Sequence, residues 1–233
     1  MESKEEAGLC SSKDVLSKMS PEARKNTYNK AIVVSTPVFV SQDSQNGPIE
    51  FFVPGKPTQW PRLPLVKFLE YNEQETDAVF YGSNHFNLVD TTTRRKTSIL
   101  EAFLVSPTST HARLLSHLSL SFPTLEAVEG RSEMLGLTQN GTRTLKLLQD
   151  YCVNLKTLEL YLFKFNAFGL VGEAPGDSQS RREALLQVNA QLKAVPSLKR
   201  LLVRCYHDRT TPEVIQLMQG LGWMVLVGDK GLS

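Results

Sequence analysis

The sequence has few of the residues that mark secreted or membrane-bound proteins. Its three cysteines (Cys10, Cys152 and Cys205) are an odd number without close pairs, which argues against a disulfide framework and favours a reducing compartment. No run approaches the roughly 20 apolar residues of a membrane span. The charged segment 1–6 also lacks the apolar stretch of a signal peptide. We therefore expect a cytoplasmic or nuclear protein without a membrane partner.

An excess of charge of one sign is missing as well. The chain has 26 basic and 24 acidic residues, so its formal net charge is +2. The basic residues are scattered, and their two small clusters, at 94–96 and 181–182, precede predicted helices. Such clusters usually form a solvated helix face. We expect no nucleic-acid partner.

Residue patterns that carry catalysis or metal binding are not recognisable either. The four histidines share no metal-ligand spacing with one another or with a cysteine; they are His85, His111, His117 and His207. Sequence order reveals no Ser–His–Asp arrangement. We expect no catalytic residue, no cofactor and no metal, and hence no enzyme. The alternative is an α/β enzyme whose pocket lies at the carboxyl ends of the strands, near Phe122, Lys164 and His207.

What the sequence does contain is a recurring Leu-x-x-Leu-x-Leu pattern. Its copies are Leu115, Leu118 and Leu120; Leu155, Leu158 and Leu160; Leu198, Leu201 and Val203; and, more loosely, Leu221, Met224 and Leu226. Each copy follows a segment with helical spacing, which predicts alternating helices and strands. Strands joined through helices run parallel. The fold class is therefore α/β, with irregular leucine-rich-repeat-like units, a largely parallel sheet, helices on one face and a small N-terminal α+β part.

Alignment of the copies predicts which side chains line the second face of the sheet. One row contains Ser119, Glu159, Leu202 and Val225, and the next contains Ser121, Tyr161, Arg204 and Val227. Tyr161 and Arg204 become neighbours, close enough for a cation–π contact. Repeat folds bind partners on such a face, so we assign partner binding to Glu159, Tyr161, Leu202 and Arg204. The alternative is a face that is solvated or covered by the N-terminal strands.

Outside the repeated pattern, local signals predict further elements. Ser20 and Pro21 begin a helix as N-cap and first residue. The remaining predictions are strands over 32–34, 38–40 and 49–53, a helix over 65–81 that Gly82 ends, a strand from His85, a turn of helix over 133–137, and a helix capped by Ser180.

Two segments carry a resemblance to a known family. Pro21, Glu22, Arg24 and Tyr28 match the opening of a degenerate F-box-like segment of uncharacterised fungal proteins, and 78–86 resembles that family's helix-to-strand corner through Phe80, Tyr81, Gly82, Asn84 and Phe86. The resemblance implies a substrate receptor of a ubiquitin ligase that binds a Skp-type adaptor through Pro21, Glu22, Arg24 and Tyr28. Met19, Ser20, Ala23 and Thr27 stand where the family has leucine, proline, leucine and isoleucine. A stand-alone scaffold without adaptor binding is therefore the alternative.

The predicted organisation has three parts. Residues 1–13 form a disordered tail, 14–64 the F-box-like helix with short strands and a proline-rich linker, and 65–233 the β/α repeat domain. We expect a monomer whose partner is another protein.

Overall fold

The computed structural model describes residues 12–42, 47–57, 60, 72–88, 99–105, 111–128, 131–163, 170, 178–206 and 210–228. The helices are α1 (Ser12–Ser17), α2 (Pro21–Ile32), α3 (Glu73–Ser83), α4 (Ile99–Leu104), α5 (Gln139–Tyr151), α6 (Ser178–Lys193) and α7 (Pro212–Gly220), with a 3₁₀ helix at His111–Leu114. The strands are β1 (Val38–Ser41), β2 (Glu50–Phe52), β3 (His85–Leu88), β4 (His117–Ser121), β5 (Leu125–Val128), β6 (Arg131–Leu137), β7 (Thr157–Leu162), β8 (Arg200–Cys205) and β9 (Met224–Val227).

Seven of these strands form one mixed sheet in the order β2-β1-β3-β4-β7-β8-β9. Only the β1–β2 pair is antiparallel; the other five pairings are parallel. The α/β class with a largely parallel sheet is thus confirmed, whereas the leucine-rich-repeat character of its units stays a prediction. β1 and β2, from the range 14–64, form one edge of this sheet. The described part of that range therefore does not stand apart from 65–233.

The inner face of the sheet, the one that packs on the helices, carries the leucines of the repeated pattern. Parallel register aligns Leu118 with Leu158 and Leu201, and Leu120 with Leu160 and Val203. Their side chains join the buried residues of the helices in a single hydrophobic core. Cys152 and Cys205 are buried and not joined in a disulfide. Among the described residues, no helix has both the length and the apolar character that crossing a membrane requires.

The fourth copy of the pattern is displaced by one residue from the prediction. Met224 pairs with Leu202 and is exposed, whereas Val225 pairs with Val203 and packs against the core. A shift of one residue moves a side chain to the opposite face of a strand. Val225 and Val227, predicted for the outer rows, are therefore replaced there by Met224 and Leu226.

Helix α2 packs onto the body of the protein. Ser20 caps α2 by accepting a hydrogen bond from Ala23 N, and Pro21 is its first residue, as predicted. Tyr28 and Ile32 are fully buried in the core. The strand predicted over 32–34 is wrong, because α2 continues to Ile32. Helix α1 begins at Ser12, inside the range predicted to be disordered, while residues 1–11 lie outside the described part.

Helix α3 ends at Ser83, two residues beyond its predicted end at 81, and the side chain of Asn84 completes this end. The Asn84 side chain donates to the carbonyls of Ile32 and Phe80 and accepts from Val34 N. These bonds complete the helix end and tie it to α2 at the same time. Gly82 lies inside the helix without a positive φ, so its prediction as a left-handed cap is wrong. The predicted start of this helix, 65–71, lies outside the described residues.

The connection between β4 and α5 also differs from its prediction. β5 and β6 form an antiparallel hairpin, so the turn of helix predicted over 133–137 is wrong. Ser180 does not cap a helix: it lies within α6, is buried, and its hydroxyl accepts a hydrogen bond from Leu135 N. The residue is thus used to join α6 to the hairpin rather than to begin the helix.

Candidate functional site: the outer face of the sheet

The outer face, opposite the helices, carries a row of side chains that crosses all seven strands. The register places in this row Phe52, Phe39, Asn87, Ser119, Glu159, Leu202 and Met224. The ends of the row are exposed and apolar, whereas its middle is polar and buried. Because buried polar groups require partners, the middle of the row is where specific interactions are expected.

Two histidines stack beside this polar centre. Parallel register pairs His85 of β3 with His117 of β4, and their rings lie 3.6 Å apart between centroids at an angle of 1°. His85 Nε2 shares a hydrogen bond with Ser119 Oγ at 2.5 Å. Burial, followed by the neighbouring His117, lowers the pKa of His85 to about 4. The His85 imidazole is therefore uncharged at neutral pH.

Glu159 is the carboxylate of the cluster. Arg204 Nε donates to Glu159 Oε2 at 2.8 Å, and Arg204 Nη2 donates to Glu159 Oε1 at 3.5 Å. His117 Nε2 is 3.4 Å from the same Oε1, without the geometry of a hydrogen bond. Burial by itself would raise the pKa of Glu159, but His117 and Arg204 outweigh it and hold the pKa at about 2. Glu159 is thus a buried anion at all ordinary pH values.

Three aromatic rings stack beyond Glu159, towards the carboxyl ends of β7 and β8. Tyr161 lies 5.5 Å from Tyr206, and Phe163 lies 5.3 Å from Tyr206, between ring centroids and at angles of 22° or less. Tyr161 is buried and also accepts a hydrogen bond from Asn87 at its hydroxyl. Tyr206 is 55% exposed. The stack therefore presents its outermost ring to solvent.

Four residues that the sequence assigned to partner binding do come together here. Glu159 pairs with Leu202 and Tyr161 with Arg204 in the register, as the alignment predicts. The Arg204 guanidinium, however, is directed to Glu159, and Tyr161 stacks on Tyr206. The N-terminal strands extend the sheet at its edge, so the alternative in which they cover this face is wrong.

His85 and His117 are the members of the site that sequence reasoning missed. Their separation along the chain matches no ligand spacing, because the two positions meet only through the pairing of β3 with β4. One signal was available: each histidine immediately precedes the first inward side chain of its strand, Phe86 or Leu118. Placing β3 next to β4 by that rule would have aligned them.

The other predicted binding residues lie on α2, and two of them are engaged internally. Arg24 donates from Nε and Nη2 to Glu75 on α3 at 2.9 and 2.8 Å, and Tyr28 is fully buried. Pro21 and Glu22 are exposed. A groove of about 460 Å³ lies between α2 and α3, with Pro21, Lys25 and Tyr28 on one wall. The structure thus does not gather the four residues on one accessible surface.

The pocket that the enzyme alternative requires falls mostly outside the described residues. Phe122 is buried against Trp223, and Lys164 and His207 are not described.

No protein-family model, no characterised protein and no solved structure matches the chain. The outer face of the sheet is therefore the part of the molecule from which function can be inferred.

Proposed function

We propose that the chain is a protein-interaction module that binds its partner on the outer face of the sheet, at Tyr206 and Arg204. The observation that carries the proposal is the exposed Tyr206 ring, fixed by its stack on Tyr161 and Phe163. The Arg204 side chain is 39% exposed and held by Glu159. Tyrosine and arginine are enriched where interfaces gain their affinity, because each offers a large contact area at a small loss of freedom when it is already held.

The exposed apolar groups of the same face support this use. Phe39 and Phe52 lie 6.4 Å apart between ring centroids at one edge, and Met224 is exposed at the other. Polar side chains separate these apolar ends, and a partner that covers the face would bury the apolar groups, which favours association. The partner we propose is a folded protein or an extended polypeptide that spans several strands.

The test is a quantitative affinity purification from the native host with the wild-type chain and two variants. Tyr206→Ala removes the exposed ring, and we expect the enrichment of the true partner to fall about tenfold or more. Leu186→Ala is the matched control, because Leu186 is an exposed apolar residue on α6. A protein retained by the control and lost with Tyr206→Ala supports the proposal. Equal capture of every protein by all three chains contradicts it.

Adaptor binding through α2 is the second candidate. The groove between α2 and α3 favours it, since Pro21 and Lys25 are exposed there. The engagement of Arg24 and Tyr28 inside the protein favours the scaffold that does not bind an adaptor. Titration of a purified Skp-type adaptor against the full chain separates the two. Binding that Lys25→Glu abolishes would support the ubiquitin-ligase receptor, and no binding would leave the scaffold.

A further inference from the structure

We propose that His85, His117 and Glu159 form a binding site for a divalent transition-metal cation of the zinc class. Each residue offers one ligand atom, and these atoms lie within 4.8 Å of one another. The three residues come from adjacent strands, β3, β4 and β7, so the sheet itself fixes their positions. The proposal goes beyond partner binding and does not depend on it.

The donor set indicates the class of cation. Two imidazole nitrogens and one carboxylate oxygen are the ligands that zinc takes in sites with an open coordination position. Imidazole also suits copper, nickel and cobalt. Calcium and magnesium prefer oxygen ligands throughout. We therefore expect Zn²⁺ and its transition-metal analogues to bind, and Ca²⁺ and Mg²⁺ not to bind.

An unsatisfied atom points to the same place. His117 Nε2 is buried and has no hydrogen-bond partner among the described residues, although Glu159 Oε1 lies 3.4 Å away. Buried polar atoms are almost always partnered, so an exception requires an explanation. A cation between the ring and the carboxylate would provide the partner that His117 Nε2 lacks.

The neighbouring groups already orient two of the ligands. Arg204 Nε holds Glu159 Oε2, which leaves Oε1 turned towards His117. Ser119 Oγ is bonded to His85 Nε2 and so fixes that ring. Groups that hydrogen-bond to ligands in this way orient them and raise affinity for the metal.

Binding requires one rearrangement. A metal ion lies in the plane of each imidazole that ligates it, and the two rings are parallel at 3.6 Å. Parallel planes do not share an ion, so one ring has to rotate out of the stack. We therefore expect zinc to separate the two rings, which changes the chemical shifts of their ring protons in NMR spectra.

The experiment is calorimetric titration of the full chain, freed of metal with a chelator, with ZnCl₂ and separately with CaCl₂. We expect one equivalent of Zn²⁺ to bind and no Ca²⁺. His117→Gln and Glu159→Gln each remove a ligand, and we expect each to weaken zinc binding about tenfold or more. His111→Gln is the control for histidine number, because His111 lies against Phe103 and Tyr81 outside the cluster, and it should leave the affinity unchanged.

A fold control separates loss of a ligand from loss of structure. Arg204→Met removes the group that orients Glu159 but keeps all three ligands, so we expect zinc binding to weaken but to persist, with a smaller loss of affinity than removal of a ligand causes. With Co²⁺, the visible absorption of the wild-type complex should vanish in His117→Gln and remain in Arg204→Met. Absence of zinc binding to the wild type overturns the proposal. Equal binding by the ligand variants, or loss of binding in His111→Gln, overturns it as well.

Discussion

Two of the arginine–glutamate pairs in the described structure, Arg24–Glu75 and Arg204–Glu159, are opposites in exposure. Between α2 and α3, Arg24 is 14% exposed and Glu75 is 34% exposed; on the outer face, Arg204 is 39% exposed and Glu159 is 6% exposed. Arg24 also donates from Nη1 to the carbonyl of Met19. The first pair therefore joins one helix to another, whereas in the second pair Glu159 holds an arginine side chain that faces outward. This difference is why we place recognition on the sheet rather than on α2.

The largest expected effect tests whether α2 is a fixed part of the body. Tyr28 is fully buried in the core and its hydroxyl lies 3.5 Å from Glu75 Oε2. Tyr28→Ala leaves a cavity, and we expect the free energy of unfolding to fall by about 3–5 kcal/mol. Urea denaturation followed by circular dichroism measures this quantity.

Lys25→Ala is the matched control, since Lys25 is exposed on the same helix. Its effect should stay within about 0.5 kcal/mol. A loss below about 1 kcal/mol in Tyr28→Ala would mean that α2 detaches easily from the body. The contrast between a fixed α2 and an exposed outer face would then be wrong, and the helix would become available to an adaptor.

The same substitution at the two arginines gives the next largest effect. Arg204→Met leaves Glu159 as a buried anion beside the two histidines but without its arginine, and we expect a loss of about 2–3 kcal/mol at pH 7. Arg24→Met leaves Glu75, which water reaches, and we expect about 1–2 kcal/mol. Urea denaturation of both variants in one buffer checks the order.

If the larger loss in Arg204→Met comes from the unpaired charge of Glu159, a second substitution that removes this charge should reduce the loss. Glu159→Gln added to Arg204→Met removes the stranded charge and should recover part of the stability. An equal loss for the two arginine variants, or no recovery in the double variant, would show that burial of the carboxylate does not distinguish the pairs.

Local sequence signals account for the sheet but not for every contact on it. The alternation around Leu118 and Leu158 predicts strands, and their common pattern predicts the register that brings Glu159 beside Leu202. In the last copy Met224 and Val225 are both apolar, so alternation alone does not decide which of them faces the core. Long-range pairing at the end of the sheet decides it.

The remaining errors have the same physical origin. Gly82 has the residue type of a helix cap, yet Asn84 ends α3 through hydrogen bonds to α2, about fifty residues earlier in the chain. Ser180 has the type of an N-cap, yet its hydroxyl is bonded to Leu135. The histidine pair arises only when β3 meets β4. In each case a contact distant in sequence overrides a local preference.

The smallest effect concerns a carboxylate that has no arginine. Asp77 lies two residues after Glu75 on α3, and no hydrogen bond to its side chain is found within the described ranges. Burial, followed by Glu73, raises the pKa of Asp77 to about 6, above its ordinary value of 3.8. The folded state therefore binds this proton more tightly than the unfolded state does. The stabilisation that protonated Asp77 contributes is complete below pH 3.8 and is lost as the pH rises through 6.

Asp77→Asn removes this titration. We expect the variant to be more stable than the wild type by about 1 kcal/mol at pH 8, after allowance for partial exposure, and equal to it at pH 4. Glu75→Gln should behave in the opposite way, because Arg24 lowers the pKa of Glu75 and the variant loses that ion pair at pH 8. Urea denaturation at the two pH values measures both. A gain for Glu75→Gln at pH 8, or none for Asp77→Asn, would show that the guanidinium partner is not what separates these carboxylates.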